Sequence, residues 1–397
     1  PFPVILRMSM GVIGAKYVAM LRGLVGLFMF GVQTFFISKS IGYVIRIIFH
    51  TYDNNFLDQE LFLTFFMGMN IIDGFSFLIT LLIQYWLFSR GQSQNRSFIN
   101  FSALFVYFGL ILFLIIIVSE NFNDVSNNLK MSLSFHNFID QKNIVPLITV
   151  IGTLFTYFSI VILNFGDFSR YVKTETEMKK GNFGLTINTI IFSLLAILLV
   201  IGSDIILAKK MIQVDQLLTN PNDIIGKIDN KFLTIVAIVF LFFASASTNL
   251  IANYIPSQNS LLNFLPKNLN LKTSGFLIIF TGFFVGLFWL PVLSQIGILS
   301  LIDTAGAFFG PLFGIVVADY YLIKEKKINN KDIFSSVDTS SYYFTGGWQM
   351  KGLYSLIIGF IFSASTIWNP QLNFLMSFSW FIGAIISWIT YYLLASD

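Results

Sequence analysis

The sixth long apolar stretch of this sequence carries oxygen-bearing residues at a spacing that suits a small cation. Ala244, Ser247 and Thr248 lie at positions i, i+3 and i+4, so they share one face of a helix. Two hydroxyl oxygens and one backbone carbonyl form a hard-oxygen set, which favours a small hard cation over a soft metal. Small polar residues also let two helices pack closely. The spacing alone therefore leaves a cation site and a tight helix contact both open.

A second group with binding chemistry lies in the first long apolar stretch. Gln33 offers both a donor and an acceptor, which suits an amide or ring-imide ligand, and Met29 shares its helical face. A polar residue in a spanning helix can equally bind a neighbouring helix, so both interpretations remain open. Asn253 lies roughly 140° beyond Thr248 around an ideal α-helix. We therefore expect it to lie apart from the group at 244–248.

Aromatic residues in the middle of the fourth apolar stretch could stack on a flat ring. Phe158 follows Tyr157 there. Aromatic residues make up 17% of the chain, so simple packing of Phe158 is the alternative.

Ionisable residues inside apolar stretches are costly and mark candidate functional sites. Lys39 lies in the outer part of the first stretch, and Asp303 lies near the outer end of the eighth. Their similar depth predicts an ion pair, which would either form an external gate or simply neutralise two costly charges. Asp73 is a third acid without an evident partner, and it could carry a proton.

The composition of the chain is that of an integral membrane protein. Of 397 residues, 55% are hydrophobic and only 11% are charged, whereas soluble domains carry roughly 25% charged residues. Backbone groups in lipid must be satisfied internally, which favours helices of about 20 mostly apolar residues. The sequence predicts an all-α bundle with ten spanning segments, near 18–48, 60–88, 98–118, 144–166, 184–206, 232–254, 275–291, 296–322, 352–368 and 372–394.

The distribution of Lys and Arg predicts the orientation of this bundle. Placing the N-terminal segment inside puts sixteen of these residues on the cytoplasmic face and seven on the opposite face. The polar stretches 119–143 and 207–231 are then external loops, and 323–350 is a cytoplasmic loop.

Several function classes are disfavoured by residue content. The chain has no cysteine, and its two histidines, His50 and His136, lie in polar connections. Membrane-embedded histidine or thiolate chemistry is therefore absent, so an enzyme is disfavoured. The formal charge of +4 is small and dispersed, which argues against a nucleic-acid partner. The first residue is Pro1, and we expect the natural chain to begin earlier.

Six motifs in the same order resemble the nucleobase:cation symporter-1 family, whose members are permeases for hydantoins, allantoin, uracil, cytosine and related compounds. Together they extend over essentially the whole chain. The motifs are Pro1–Arg7, Phe30–Thr34, Asn164–Tyr171, Ser247–Asn253, Gly310–Leu322 and Ser379–Gly383.

The resemblance implies a leucine-transporter-like fold of twelve helices, the first ten of which form two inverted five-helix repeats. Residues 1–397 would form a single transmembrane domain, truncated at its N-terminus, that holds ten of those helices, the third to the twelfth. Transporters of this type place their sites at the repeat interface near the middle of the bilayer.

The resemblance also implies roles for particular residues. By motif position, Gln33 and Asn253 would hydrogen-bond the substrate, and Phe158 would stack on its ring. The coupling sodium ion would be bound by the carbonyl of Ala244 and the hydroxyls of Ser247 and Thr248.

Two departures from the family pattern bear on the substrate site. Met29 stands where hydantoin-type members have a Trp, which predicts a substrate of different shape, although sulfur packs acceptably on rings. The family's first helix, which supplies part of both the substrate and the sodium site, is not within this sequence.

We therefore expect a multi-pass transporter of the plasma membrane that imports a nucleobase or related nitrogen heterocycle with sodium, by alternating access. Its partners would be that heterocycle, the coupling ion and the lipid bilayer, with no organic cofactor. Proton coupling through Asp73 or Asp303 is one alternative. A channel or a membrane protein without transport activity is another.

Overall fold

The computed structural model describes residues 1–53, 55–119, 121–134, 140–209, 231–295 and 298–396, and α-helices dominate them. The helices are α1 Phe2–Ile5, α2 Arg7–Tyr52, α3 Glu60–Leu63, α4 Ile71–Phe88, α5 Gln92–Ser119, α6 Phe122–Ser132, α7 Gln141–Leu163, α8 Phe165–Ser169, α9 Glu175–Lys209, α10 Lys231–Asn249, α11 Ile255–Phe264, α12 Leu271–Leu287, α13 Ile298–Ala318, α14 Met350–Trp368 and α15 Ser379–Ala395. Two π-helical turns, Leu250–Tyr254 and Asp319–Ile323, extend α10 and α13.

Among the described residues, eight helices are long and apolar enough to cross a membrane. Each of the ten predicted segments corresponds to a helix. Helix α7 has 23 residues with a proline inside and is not among the eight, and α12 is a shorter apolar helix of 17 residues. The predicted external loop at 207–231 falls mostly on 210–230, outside the described residues.

The second predicted segment, 60–88, was wrong at its beginning. The spanning helix α4 starts at Ile71, because Asn70 caps it by accepting a hydrogen bond from the Asp73 backbone N–H at 2.9 Å. The preceding residues form a short antiparallel hairpin, β1 Phe65–Phe66 and β2 Met69–Asn70. Its turn contains Gly68 at φ 77°, a conformation that glycine adopts without strain.

The long helix α2 lies at the centre of the packing and contributes to two apolar clusters. Toward one end, Ala19 packs in a cluster with Phe309 and Trp380 of α13 and α15. Further along, Phe30 belongs to a cluster with Tyr254 and other buried residues of α4 and α12. Helix α2 therefore connects the two halves of the described core.

Small residues on α2 let the π-helical segment approach closely. A Cβ at Gly26 would collide with the Ser257 hydroxyl and would lie 3.1 Å from the Asn253 carbonyl oxygen. Ser257 donates a hydrogen bond to the Gly23 carbonyl at 3.0 Å. This contact holds the segment that carries Asn253 against the middle of α2.

The predicted cytoplasmic loop at 323–350 folds against the beginning of α2. The helix is interrupted at Gly11, which has φ 79°. There the backbone N–H of Ile13 donates to the Gly347 carbonyl at 2.8 Å, and that of Gln349 donates to the Met10 carbonyl at 3.0 Å. The loop is thereby attached to α2 by backbone hydrogen bonds.

Candidate functional site

The candidate site is built on the π-helical turn Leu250–Tyr254, between α10 and α11. Pro256, at the start of α11, has no backbone N–H, so it cannot supply the α-helical donor for the Ala252 carbonyl. A π-turn, with its i→i+5 bonds, is a frequent feature of functional sites. Here it changes the direction of Asn253 from the one that an ideal α-helix would give.

Gln33 and Asn253 lie together in the structure. The Asn253 Nδ2 donates to Gln33 Oε1 at 2.8 Å and to Asn249 Oδ1 at 2.9 Å, and Gln33 Nε2 donates to the Ser245 carbonyl at 3.0 Å. Asn253 is buried and Gln33 is partly buried. The two amides, from α2 and the π-turn, therefore form one hydrogen-bonded pair.

A buried polar chain that the sequence reasoning missed supports this pair. Asn249 Nδ2 donates to Thr34 Oγ1 at 3.1 Å, and Thr34 donates to Gln84 Oε1 of α4 at 2.8 Å. All three side chains are 0% exposed. The sequence held a signal for Asn249, because it lies four residues before Asn253, but the contribution of Gln84 required knowledge of how α4 packs.

These bonds determine which polar atoms of the pair remain for a ligand. Both N–H groups of the Asn253 amide are used internally, whereas its Oδ1 makes no hydrogen bond within the described part of the chain. Gln33 uses one of its two N–H groups on Ser245. The pair therefore retains an acceptor on Asn253 and a donor on Gln33.

The three predicted cation ligands also lie together. The hydroxyls of Ser247 and Thr248 both donate to the Ala244 carbonyl, at 3.0 and 2.9 Å, so three oxygens cluster on one face of α10. Thr248 is exposed. All three atoms are oxygens, the type of ligand that hard cations prefer. The same bonds are also the ordinary ones by which Ser and Thr satisfy themselves within a helix.

The two remaining predicted ligands are less enclosed. Met29 is partly buried on α2, one turn before Gln33. Phe158 of α7 lies edge-on to Tyr157 with ring centroids 5.4 Å apart, and 46% of its surface is exposed. A ring with this much uncovered surface has room for a stacking partner. Its role in stacking stays a prediction.

The predicted ion pair between Lys39 and Asp303 is wrong. Lys39 Nζ lies 3.2 Å from Asp73 Oδ1, and Arg46 Nη2 lies 2.9 Å from the same oxygen. The reason is that α4 packs along α2, so the first turn of α4 reaches two basic residues that lie two turns apart. Asp303 is instead 4% exposed, and its Oδ1 has no hydrogen-bond partner among the described residues.

The comparison with known families decides the class of the protein. The sequence model of a family described as permeases for cytosine/purines, uracil, thiamine and allantoin matches residues 1–383. This chain belongs to that permease family. The predicted assignment is confirmed, and so is the expectation that the chain is a multi-pass membrane transporter and not an enzyme.

The permease is similar in sequence to members from distant organisms. It is 24% identical to the allantoin permease of Bacillus subtilis over 397 residues, which are 99% of this chain and 77% of the relative. It is 26% identical to the purine-uracil permease NCS1 of Arabidopsis thaliana over 361 residues, which are 91% of this chain and 57% of the relative.

Solved structures support the fold of the permease. The inward-facing conformation of Mhp1 matches with a TM-score of 0.65 and 18% identity, and the match covers 100% of this chain and 78% of Mhp1. Mhp1, a nucleobase-cation-symport-1 family transporter, matches with the same TM-score in a closed conformation with bromovinylhydantoin bound. The predicted leucine-transporter-like, all-α architecture is confirmed.

Proposed function

We propose that this permease imports a nucleobase or related nitrogen heterocycle across the plasma membrane, coupled to sodium and by alternating access. The observation that carries the proposal is the hydrogen-bonded pair of Gln33 and Asn253 at 2.8 Å. Polar side chains inside a membrane bundle are expensive, and this pair retains one donor and one acceptor for a ligand.

The donor and acceptor define the edge of the ligand that we expect. A ring N–H beside a ring C=O would donate to Asn253 Oδ1 and accept from Gln33 Nε2. Uracil, allantoin and hydantoin each carry such an edge, and these compounds or their classes appear in the names of the relatives. A ligand without a ring N–H would leave the Asn253 acceptor unsatisfied, which costs about 1–3 kcal/mol when the group is buried.

Sodium coupling is supported by the oxygens of Ala244, Ser247 and Thr248. Bound there, the cation would supply fixed positive charge on α10, the helix that leads into the π-turn of Asn253. If the cation and the heterocycle favour the same conformation, each raises the affinity of the other by the same factor.

The test of the substrate class is a competition-uptake panel in membrane vesicles with uracil, cytosine, allantoin and hydantoin. We expect at least one compound to compete saturably, and Asn253→Ala to weaken it about tenfold or more. The matched control is Asn188→Ala, because Asn188 is an exposed asparagine of α9. Flux that none of the four compounds inhibits would contradict the proposal and favour a channel.

The test of the coupling ion is ligand binding with and without sodium. We expect sodium to tighten binding in the wild-type protein, and Thr248→Ala to abolish the difference. Equal affinities with and without sodium in the wild-type protein would refute sodium coupling.

Proton coupling is a second candidate because Asp303 is buried and one of its carboxylate oxygens has no hydrogen-bond partner in the described part of the chain. Asp73 is less suited to this role, since Lys39 and Arg46 both contact it. Uptake that collapses with the pH gradient, ignores sodium and is lost in Asp303→Asn would select this mechanism.

A further inference from the structure

The backbone of the π-turn receives a hydrogen bond from a buried arginine of α2. The Nη2 of Arg22 donates to the Ala252 carbonyl at 2.8 Å. Pro256 cannot supply the α-helical N–H for this carbonyl, and Arg22 provides a side-chain donor to it. Ala252 immediately precedes Asn253, so the bond acts next to the amide pair.

The same guanidinium also bonds to a different part of the fold. Arg22 Nε donates to Asn164 Oδ1 at 2.7 Å, and Asn164 Nδ2 donates to Asp167 Oδ2 at 2.6 Å. Asn164 and Asp167 lie where α7 ends and α8 begins, which we call the α7–α8 corner. Asp167 Oδ1 in turn accepts from the Phe2 backbone N–H at 3.2 Å.

This network is buried and charged, which makes it costly. Arg22 and Asp167 are 0% exposed and Asn164 is 1% exposed. Replacing a buried ionic group by apolar residues is often neutral or stabilising, so stability alone gives weak grounds for such a network. Its geometry offers another reason, because one planar side chain joins the backbone beside Asn253 to the α7–α8 corner.

The corner borders a partly open pocket at the end of the bundle that we predict to be cytoplasmic from the distribution of basic residues. A cavity of about 540 Å³ is lined by Asp167, Tyr171, Asn95 and Asn259, among others. Movement of the corner away from α2 would change access to this cavity. The contacts of Arg22 therefore connect the amide pair, which is the proposed ligand site, to the corner that borders this pocket.

We propose that Arg22 is a positioning residue that couples the Gln33–Asn253 pair to the α7–α8 corner. It holds the π-turn so that Asn253 faces Gln33, and it holds the corner against α2 while ligand is bound. The proposal rests on the proposed function, because it takes the amide pair as the ligand site. By reciprocity, ligand binding then stabilises the closed corner as much as the closed corner stabilises binding.

The first test is a double-mutant cycle between Arg22→Lys and Pro256→Ala, with uracil, allantoin and hydantoin as probes. Lysine keeps the charge but lacks the planar fork that reaches two acceptors. We expect Arg22→Lys to weaken binding about tenfold in the wild-type background. We expect a clearly smaller factor in the Pro256→Ala background, where a backbone N–H is available for the Ala252 carbonyl. The same factor in both backgrounds would overturn the proposal.

The second test measures access to the cavity, and it does not depend on how tightly the variants bind. Because the chain has no cysteine, Asn259→Cys provides a single site for maleimide labelling from the cytoplasmic side. We expect ligand to slow labelling in the otherwise wild-type protein. Arg22→Lys should raise the unliganded rate and abolish protection by saturating ligand.

The matched control is Arg7→Lys, since Arg7 lies on the same helix and donates to the Ile333 carbonyl at 3.1 Å, away from the π-turn. It should label like the wild type. Unchanged labelling in Arg22→Lys, with ligand protection intact, would overturn the proposal. A wild-type protein that binds none of the three probes would contradict the proposed function instead, and the unliganded labelling rate of Arg22→Lys would then decide whether Arg22 holds the corner.

Discussion

The basic residues at the two ends of α2 lie in opposite environments, partly exposed at one end and buried at the other. At the outer end, Lys39 and Arg46 share the carboxylate of Asp73, and the two basic side chains remain 27% and 26% exposed. Toward the inner end, Arg22 is fully buried and bonds to an amide and a backbone carbonyl. Exposed ion pairs contribute little to stability, whereas breaking a buried one is costly. The comparison separates a cluster that neutralises charge from one that fixes geometry.

The largest effect is expected from Asp167→Asn at the inner end. The change removes a buried carboxylate that accepts from Asn164 Nδ2 and from the Phe2 backbone N–H, and that offsets the Arg22 charge across the Asn164 amide. A buried group left unsatisfied costs about 1–3 kcal/mol, and more where a charge is involved. We expect a markedly lower unfolding temperature in detergent. The control is Asp338→Asn, because Asp338 is exposed. Equal unfolding temperatures for both variants would show that the inner network is as dispensable as a surface charge.

The second-largest effect is expected in the middle of α2, at the neutral amide pair of Gln33 and Asn253. Gln33→Ala removes the donor that we assign to the ligand and the partner of Asn253 Nδ2. Ligand binding should weaken about tenfold or more, as measured by equilibrium binding. The unfolding temperature should fall less than in Asp167→Asn, since no buried charge loses its partner. A larger loss of stability than of binding would mean that the pair is only a helix contact.

A smaller effect is expected at the outer end. Asp73→Asn removes the buried carboxylate that Lys39 and Arg46 share. Because both basic side chains are partly exposed, the free energy of unfolding should fall less than in Asp167→Asn. Ligand affinity should stay within a factor of two or so of the wild type. If Asp73→Asn weakens binding as much as Gln33→Ala, the outer cluster takes part in ligand recognition and the comparison fails.

The smallest effect is expected for a pair that is exposed on both sides. Lys179 and Glu175 of α9 lie 2.9 Å apart and are 76% and 80% exposed. Glu175→Gln should change the free energy of unfolding by less than about 0.5 kcal/mol. This variant sets the lower limit of the series in the same unfolding assay.

The sequence was sufficient for the helical bundle, because hydropathy marks spanning segments. Gln33 stood out as an amide inside such a segment, whereas Asn253 was chosen only through the family resemblance. The ligand role of both residues stays a prediction. The sequence was not sufficient for the backbone around Asn253, because Pro256 was visible without revealing that the helix would widen into the π-turn Leu250–Tyr254. The ideal-helix estimate, which places Asn253 apart from the group at 244–248, stays a prediction.

The charged residues show the same limit. Similar depth in the predicted membrane suggested Asp303 as the partner of Lys39. The partner depends on which helices are neighbours, and because α4 lies beside α2, Lys39 pairs with Asp73. Arg22 was overlooked because an arginine near the end of an apolar stretch commonly extends to the interface. Its burial depends on α7, α8 and the π-turn meeting around it, which no local pattern encodes.

The π-turn at Leu250–Tyr254 has a consequence for how such proteins diverge. Each π-turn holds one residue more than the α-turn it replaces, so α10 and α11 are out of step by about 100° around their common axis. Deleting a single residue there would bring both helices into step, turn Asn253 away and leave each helix intact. If Asn253 binds the ligand as proposed, gain or loss of one residue in this turn would change ligand preference while every other side chain is kept.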